Sequence, residues 1–310
     1  MFHLSSHQAQ TSHLSSKATS TKAEFEKYQR SVDGWRHHRM MRPFSPFAKV
    51  QDCSWLTVGD VNGWDAARLM DMGAKNVTAS DLSGIRLQHA QTEGLIQNYR
   101  VENAEALSLE DKSIDIVFCK EAFHHFPRPW LGMYEMLRVA KRAVLLIEPR
   151  DWIIDRGSTT ISGPKGILKA LSHWLRQKMG FAIPNQSASK LFRLGDKPNY
   201  EEVGNYVFSV SSREIEKVAL GINLPAIAFL GLNDQSEEGL WKHEAIESNP
   251  EYLRLKNSLE KADKLSRAGI GGTSYLLIAV FVELPSPELT ADLESLGWYV
   301  KKLDRNPYLR

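Results

Sequence analysis

The residues best placed to do chemistry lie between Leu56 and Pro149. A turn from Val58 to Ala66 (VGDVNGWDA) carries Gly59 and Gly63 and opens a helix. Glycines there let a ligand approach the backbone closely, and the helix N-terminus that follows favours electronegative groups. Asp81 closes the next strand, 22 residues after Gly59. A carboxylate at that separation suits a ribose diol, because it accepts from both hydroxyls. Taken singly, Gly59 or Gly63 also reads as a plain turn glycine and Asp81 as a helix cap.

The elements that must position these groups alternate. A strand reads Trp55 to Val58, and the helix after it runs through Met72 to a C-terminal Gly73. Asn76 to Ser80 is a second strand, with Ser83 to Glu93 as the following helix. A short strand near Tyr99 to Val101 precedes a strong one, Ile114 to Cys119. Pro129 opens a helix to Ala140, and Ala143 to Ile147 is a further buried-type strand. This rhythm predicts right-handed crossovers and a parallel, doubly wound α/β sheet. Alternation resumes with a capping box, Ser211 to Glu214, then a strand at Ala226 to Leu230. A helix opens at Asn249-Pro250, and a last strand runs from Ser274 to Glu283.

The order of signals from the glycine turn through Asp81, Val101 to Leu107 (VENAEAL), Lys120 to Phe126 (KEAFHHF), Glu135 to Val139 (EMLRV) and Glu148-Pro149 resembles the class I S-adenosylmethionine-dependent methyltransferases. It is similar in particular to the small-molecule branch that includes ubiquinone/menaquinone biosynthesis methyltransferases. The resemblance covers residues 50–150 well, and 205–285 only by element order. It implies a Rossmann-like, mostly parallel sheet with an antiparallel last strand. It implies S-adenosyl-L-methionine as cofactor, with Gly59 and Gly63 at its methionine part and Asp81 on the ribose. Leu82 falls beside the adenine, Asn103 and Ala104 at the adenine amino group, and Lys120 at the methionine end and substrate mouth. His124 and His125 match paired histidines after the fourth strand.

Methyl transfer from a sulfonium is an in-line displacement, which asks mainly for positioning and exclusion of water. An oxygen acceptor also benefits from a base of near-neutral pKa, and histidine's ordinary value of about 6.5 makes His124 and His125 the candidates. Glu148, at the carboxyl edge of its strand, is a candidate base or orienting group; it also reads as a carboxylate bonded to a neighbouring loop. The chain departs from the family at several places. Thr57 stands where the loop acid belongs, Val61 at the middle glycine, Asn103 for Asp, and Ala140-Lys-Arg142 for a Pro-Gly-Gly turn. Asp60 or Asp65 is then the source of the missing charge. The expected function is a methyltransferase acting on a small-molecule acceptor at O, N or C. The alternative that Thr57 and Val61 motivate is a non-catalytic scaffold or binding protein of the same fold. A nicotinamide dehydrogenase would need Gly-x-Gly-x-x-Gly, which the loop lacks.

Composition bounds the rest. The chain has 310 residues, a net charge of +2 and 42% hydrophobic residues. That is ordinary globular composition, and the near-neutral charge argues against a nucleic-acid partner. The longest apolar run, Tyr275 to Val282, is eight residues, too short for a membrane span. Cys53 and Cys119 suffice for neither a disulfide framework nor a zinc site, so no metal is expected and a reduced, cytoplasmic setting is the default. Residues 1–22 read as a disordered tail, 23–50 as a helical segment, and 51–150 as the cofactor-binding core. Residues 151–204, with an amphipathic helix at Ile167 to Met179, read as an inserted lid. Residues 205–285 complete the sheet, and 286–310 read as a C-terminal tail. Charge is uneven: residues 1–50 hold eight Lys/Arg against three acids. There Trp35 to Arg39 (WRHHR) suggests either a solvated helix with one anchoring Trp or a surface for an anionic or flat ligand.

Overall fold

The computed structural model describes residues 7–13, 21–151, 155, 206–269 and 272–308. Apart from Asp151 and Asp155, the expected lid, with its helix at Ile167 to Met179, lies outside the described residues. Eight strands form one sheet: β1 (Trp55–Val58), β2 (Val77–Asp81), β3 (Asn98–Val101), β4 (Ile114–Lys120), β5 (Ala140–Pro149), β6 (Ala226–Leu232), β7 (Tyr275–Phe281) and β8 (Tyr299–Lys302). Their order is β3-β2-β1-β4-β5-β7-β6-β8. β1 to β5 pair in parallel, with Val58 beside Ser80 and Cys119. β7 runs antiparallel between β5 and β6, and β8 is antiparallel to β6. The sheet is thus the doubly wound, mostly parallel one the sequence predicts.

Buried strands explain themselves by composition. β1, β4, β5 and β7 are near-continuous apolar runs, as a sheet covered on both faces requires. Helices α1 (Lys22–Gln29), α2 (Val32–Met41), α3 (Ser45–Ala48), α4 (Trp64–Asp71), α5 (Ile85–Thr92), α6 (Pro129–Val139), α7 (Ser212–Gly221), α8 (Pro250–Arg267) and α9 (Pro287–Ser295) pack around it. One core lies under Phe44, Phe47, Trp55, Phe118 and Phe281. The other lies under Leu56, Val117, Phe123, Met133 and Leu146. The capping box at Ser211 and Glu214 and the N1 prolines at 129 and 250 start their helices as their types dictate. Ser83 is not the cap of α5, which begins after Gly84 without a side-chain cap.

Two segments differ from expectation. Residues 286–308, within the expected C-terminal tail of 286–310, are not a tail. Ser286 caps α9, Leu293 and Trp298 are buried, and β8 extends the sheet. The Trp298 indole donates to the Pro43 carbonyl at 3.1 Å, which ties this segment to the N-terminal helices. Residues 7–13 run as a helical stretch, where the sequence predicts a disordered tail over 1–22.

Candidate functional site

Strand order reverses beside β1, with β2 on one side and β4 on the other. Open α/β sheets bind ligands at the carboxyl edge of such a switch point. The turns after β1, β2, β3 and β4 converge there, and they carry the residues singled out from sequence.

Gly59 and Gly63 both have positive φ, +75° and +71°. A Cβ on Gly59 would lie 2.4 Å from the Ala122 Cβ, so the glycine is needed because the loops after β1 and β4 touch. Asp60, between them, folds its carboxylate back into the protein. It accepts the Thr57 hydroxyl at 3.0 Å and the backbone N–H groups of Asp65 at 3.1 Å and Ala66 at 2.8 Å. Asp60 therefore braces the start of α4 and sits against Thr57. Burial and the neighbouring Asp65 charge push its pKa up to about 7, against those three hydrogen bonds.

Asp81 ends β2 and is 5% exposed. One oxygen accepts the Ser83 N–H at 3.0 Å. Burial raises its pKa to about 6, opposed by hydrogen bonding to Ser83 and by the Arg86 charge. Leu82 beside it is half-buried. Asn103, half-buried after β3, accepts the Glu105 N–H at 3.0 Å, which turns the chain at Ala104. The Glu105 carboxylate in turn accepts from the Arg128 backbone at 2.5 Å and its Nε at 2.8 Å. Glu135 and Arg138 act nearby: Glu135 accepts the Leu107 N–H, and Arg138 donates to the carbonyls of Leu107 and Leu109. Their part in the sequence pattern is to hold the loop after β3.

After β4, Glu148 organises the histidine pair. It is fully buried. Its Oε1 accepts the N–H groups of Ala122 at 3.3 Å and Phe123 at 3.1 Å, and its Oε2 meets His124 Nδ1 at 2.5 Å. A carboxylate at Nδ1 fixes the tautomer with the lone pair at Nε2. The His125 ring lies 4.0 Å from that of His124, centroid to centroid. Both oxygens of Glu148 are thus engaged with the loop, which is the arrangement of a positioning group.

A further charged cluster, of which the sequence singles out Lys120 but not its partners on α2 and β7, lies over the same edge. Lys120 Nζ contacts Glu121 at 2.5 Å. Burial works against its charge, but Asp65 and Glu121 hold its pKa above the ordinary value. Glu121 has φ of +50°, the left-handed region a non-glycine residue rarely adopts. The Tyr275 hydroxyl donates to it at 2.7 Å, and His37 Nδ1 of α2 lies 3.5 Å away. Burial, and then the Lys120 charge, push His37 down to about 2, so its ring is neutral. On the same helix Arg36 donates to Asp234 at 2.7 Å, beyond β6. A signal for this existed. Val32, Arg36 and Met40 form the buried stripe of α2, and a cation in such a stripe demands a buried partner.

Arg68 on α4 joins the cluster to α1. Its Nη1 meets Asp65 at 3.2 Å and its Nε donates to Gln29 at 3.3 Å. Its guanidinium carbon lies 5.6, 5.7 and 5.9 Å from the ring centroids of Phe25, Tyr28 and Trp64, within cation–π range. Around the glycine turn, Asn62 Oδ1, Trp64 Nε1 and Arg68 Nη2 are buried without a hydrogen-bond partner among the described residues. Natively orphaned polar atoms are uncommon. A ligand carrying ammonium, carboxylate and hydroxyl groups supplies such partners, so the residues fit S-adenosylmethionine. Among the described residues no group of His, Cys, Asp and Glu is arranged for a metal, and both cysteines are buried thiols.

Residues 56–147 match the family model described as a methyltransferase domain. A curated relative, the tRNA U34 carboxymethyltransferase of Nautilia profundicola, is 26% identical over 106 residues, which is 33% of this chain and 35% of that protein. The matched part thus spans about a third of the relative's length. Among solved structures, the chain is similar to a SAM-dependent methyltransferase of Thermotoga maritima, with 14% identity, TM-score 0.43, and coverage of 84% of this chain and 93% of that one. It is also similar to one of Archaeoglobus fulgidus, with 16% identity, TM-score 0.45, and coverage of 83% and 96%. No helix among the described residues is long and apolar enough to cross a membrane.

Proposed function

We propose that the chain is an S-adenosylmethionine-dependent methyltransferase acting on a small-molecule acceptor. The observation that carries the reading is the buried Asp81 carboxylate at the switch point, beside a glycine turn whose Asn62 Oδ1 has no partner among the described residues. In this reading Asp81 accepts from the ribose hydroxyls. Leu82, Asn103 and Ala104 frame the adenine, and Gly59 and Gly63 admit the methionine part, with Lys120 near its end. Asp60 supports the loop through its three hydrogen bonds to Thr57, Asp65 and Ala66.

S-adenosylmethionine, when bound, supplies an electrophilic methyl group on a sulfonium. The chain's own residues position the acceptor, exclude water and receive a proton. Glu148 holds the loop of Ala122, Phe123 and His124. The tautomer it imposes leaves His124 Nε2 as the basic nitrogen, and His125 shares the site. Because near-neutral net charge disfavours a nucleic-acid partner, the acceptor is taken as a small molecule.

Calorimetric titration with S-adenosylhomocysteine tests the cofactor assignment. Saturable heat is expected from the wild-type chain, with about tenfold or greater weakening in Asp81→Ala, as loss of hydrogen bonds to a charged acceptor gives. Absence of heat at high micromolar ligand would instead favour the non-catalytic scaffold that Thr57 and Val61 suggest.

A further inference from the structure

The outward face of α2 carries a second constellation, apart from the methyltransferase site. Trp35, His38, Arg39 and Arg42 follow each other at i, i+3, i+4 and i+7, so they share one face of the helix. With Glu260 of α8 they line a cavity of about 400 Å³, the size range of small-ligand sites. None of the five belongs to the residues assigned to cofactor or acceptor.

The side chains are held ready. Arg39 donates to the Asn233 carbonyl at 2.7 Å and pairs with Asp263 of α8. The Trp35 ring is fixed edge-on against Tyr252, 5.1 Å between centroids and 90° between planes. His38 and Arg42 are exposed, and no carboxylate of the described residues lies within ion-pair distance of either. Burial, then the charges of Arg68 and Arg42, hold the His38 pKa below its ordinary value, against the opposing charge of Asp71.

We propose that this cavity binds a ribonucleotide unit, with its phosphate on Arg42, Arg39 and His38, its base against Trp35, and its ribose hydroxyls on Glu260. Each lining residue then has a partner of matching chemistry. Arginines take phosphate oxygens as charge-assisted bonds, an indole offers a base a stacking surface, and a carboxylate accepts from a diol. An inorganic anion would leave Trp35 and Glu260 unused, and Glu260 would repel it. A flat neutral ligand would leave the cations unused.

Calorimetry on the full chain tests this with AMP, dAMP, inorganic phosphate and a single-stranded hexauridylate, each with and without saturating S-adenosylhomocysteine. AMP is expected to bind more tightly than phosphate, about fivefold more tightly than dAMP, and at least about tenfold more weakly to Arg42→Glu, by the worth of hydrogen bonds without and with charge. Arg42 is exposed, so that variant keeps the fold. Asp81→Ala should leave AMP binding unchanged, which separates this site from the cofactor site. The His38 ring resonances should titrate at higher pH when AMP is bound. Tighter binding of hexauridylate than of AMP would identify an RNA chain as the source of the nucleotide, and weaker binding a free nucleotide. The proposal is overturned if neither AMP nor hexauridylate gives heat at millimolar concentration, if S-adenosylhomocysteine displaces AMP, or if Arg42→Glu binds AMP as well as the wild type.

Discussion

Asp60 and Asp81 are both buried carboxylates, yet they do opposite things with their hydrogen-bonding capacity. Asp60 accepts three donors from its own chain. Replacing it by Ala would strand the N–H groups of Asp65 and Ala66 at the start of α4, and a loss of about 2–3 kcal/mol in urea unfolding is expected. Asp81 keeps capacity for a ligand, at a cost in the unliganded fold. Its pKa is raised from 3.8 to about 6, so the folded state favours the protonated form. Stability from this group is greatest below its unfolded value and declines as pH rises through about 6. Asp81→Asn is therefore expected to raise the melting temperature at pH 8, read by calorimetric scanning. Ligand binding has the opposite sign, because a diol is best taken by the ionised form. Affinity for S-adenosylhomocysteine should fall as pH drops below about 6 and stay flat across that range in Asp81→Asn. Sequence made Asp81 visible through its spacing from Gly59. It could not separate the two roles open to Asp60, since the fold-back onto Thr57 depends on a turn geometry that residue types alone leave undetermined.

At the scale of elements, α2 does more than cover an edge. Its buried stripe puts Arg36 against Asp234, with side chains 4% and 1% exposed. Removing one partner of such a pair leaves an uncompensated buried charge. Arg36→Ala is expected to cost about 3–5 kcal/mol in chemical denaturation, and the double variant Arg36→Met with Asp234→Leu to recover most of it. The strands and most helices were legible because their signals are local: apolar runs of strand length, N1 prolines and the Ser211–Glu214 capping box. α9 and β8 were not, because Tyr299 to Lys302 (YVKK) is an exposed edge strand whose identity comes from its ladder with β6. The cluster of Glu121, His37, Tyr275 and Asp234 joins four separate regions, and only the topology brings them together. The glycine turn, Asp81 and the histidine pair lie within one sequence-local half of the sheet and could be read in order.

At the scale of the whole molecule, residues 25–48 belong to the main core. Phe25, Met40, Met41, Phe44, Phe47 and Ala48 are buried in the same cluster as Trp55 and Phe118. Deleting residues 1–48 should therefore yield a chain with little cooperative unfolding by circular dichroism, rather than an open but folded enzyme. The basic excess of residues 1–50, which looked like a surface property, divides accordingly. Arg36 is buried in an ion pair, Arg39 is pinned to Asp263, and Arg42 and His38 remain outward.

The long reach of α2 also bears on how the chain is made. Arg36 and Arg39 find their partners 198 and 224 residues later, and Pro43 meets Trp298 after 255. Non-local contacts of this kind form late and slow a fold's completion. On the ribosome, Arg36, Arg39 and Pro43 emerge long before Asp234, Asp263 and Trp298 exist to receive them. The nascent chain must carry these groups without those partners through most of its synthesis, a window in which chaperone binding and aggregation compete with folding.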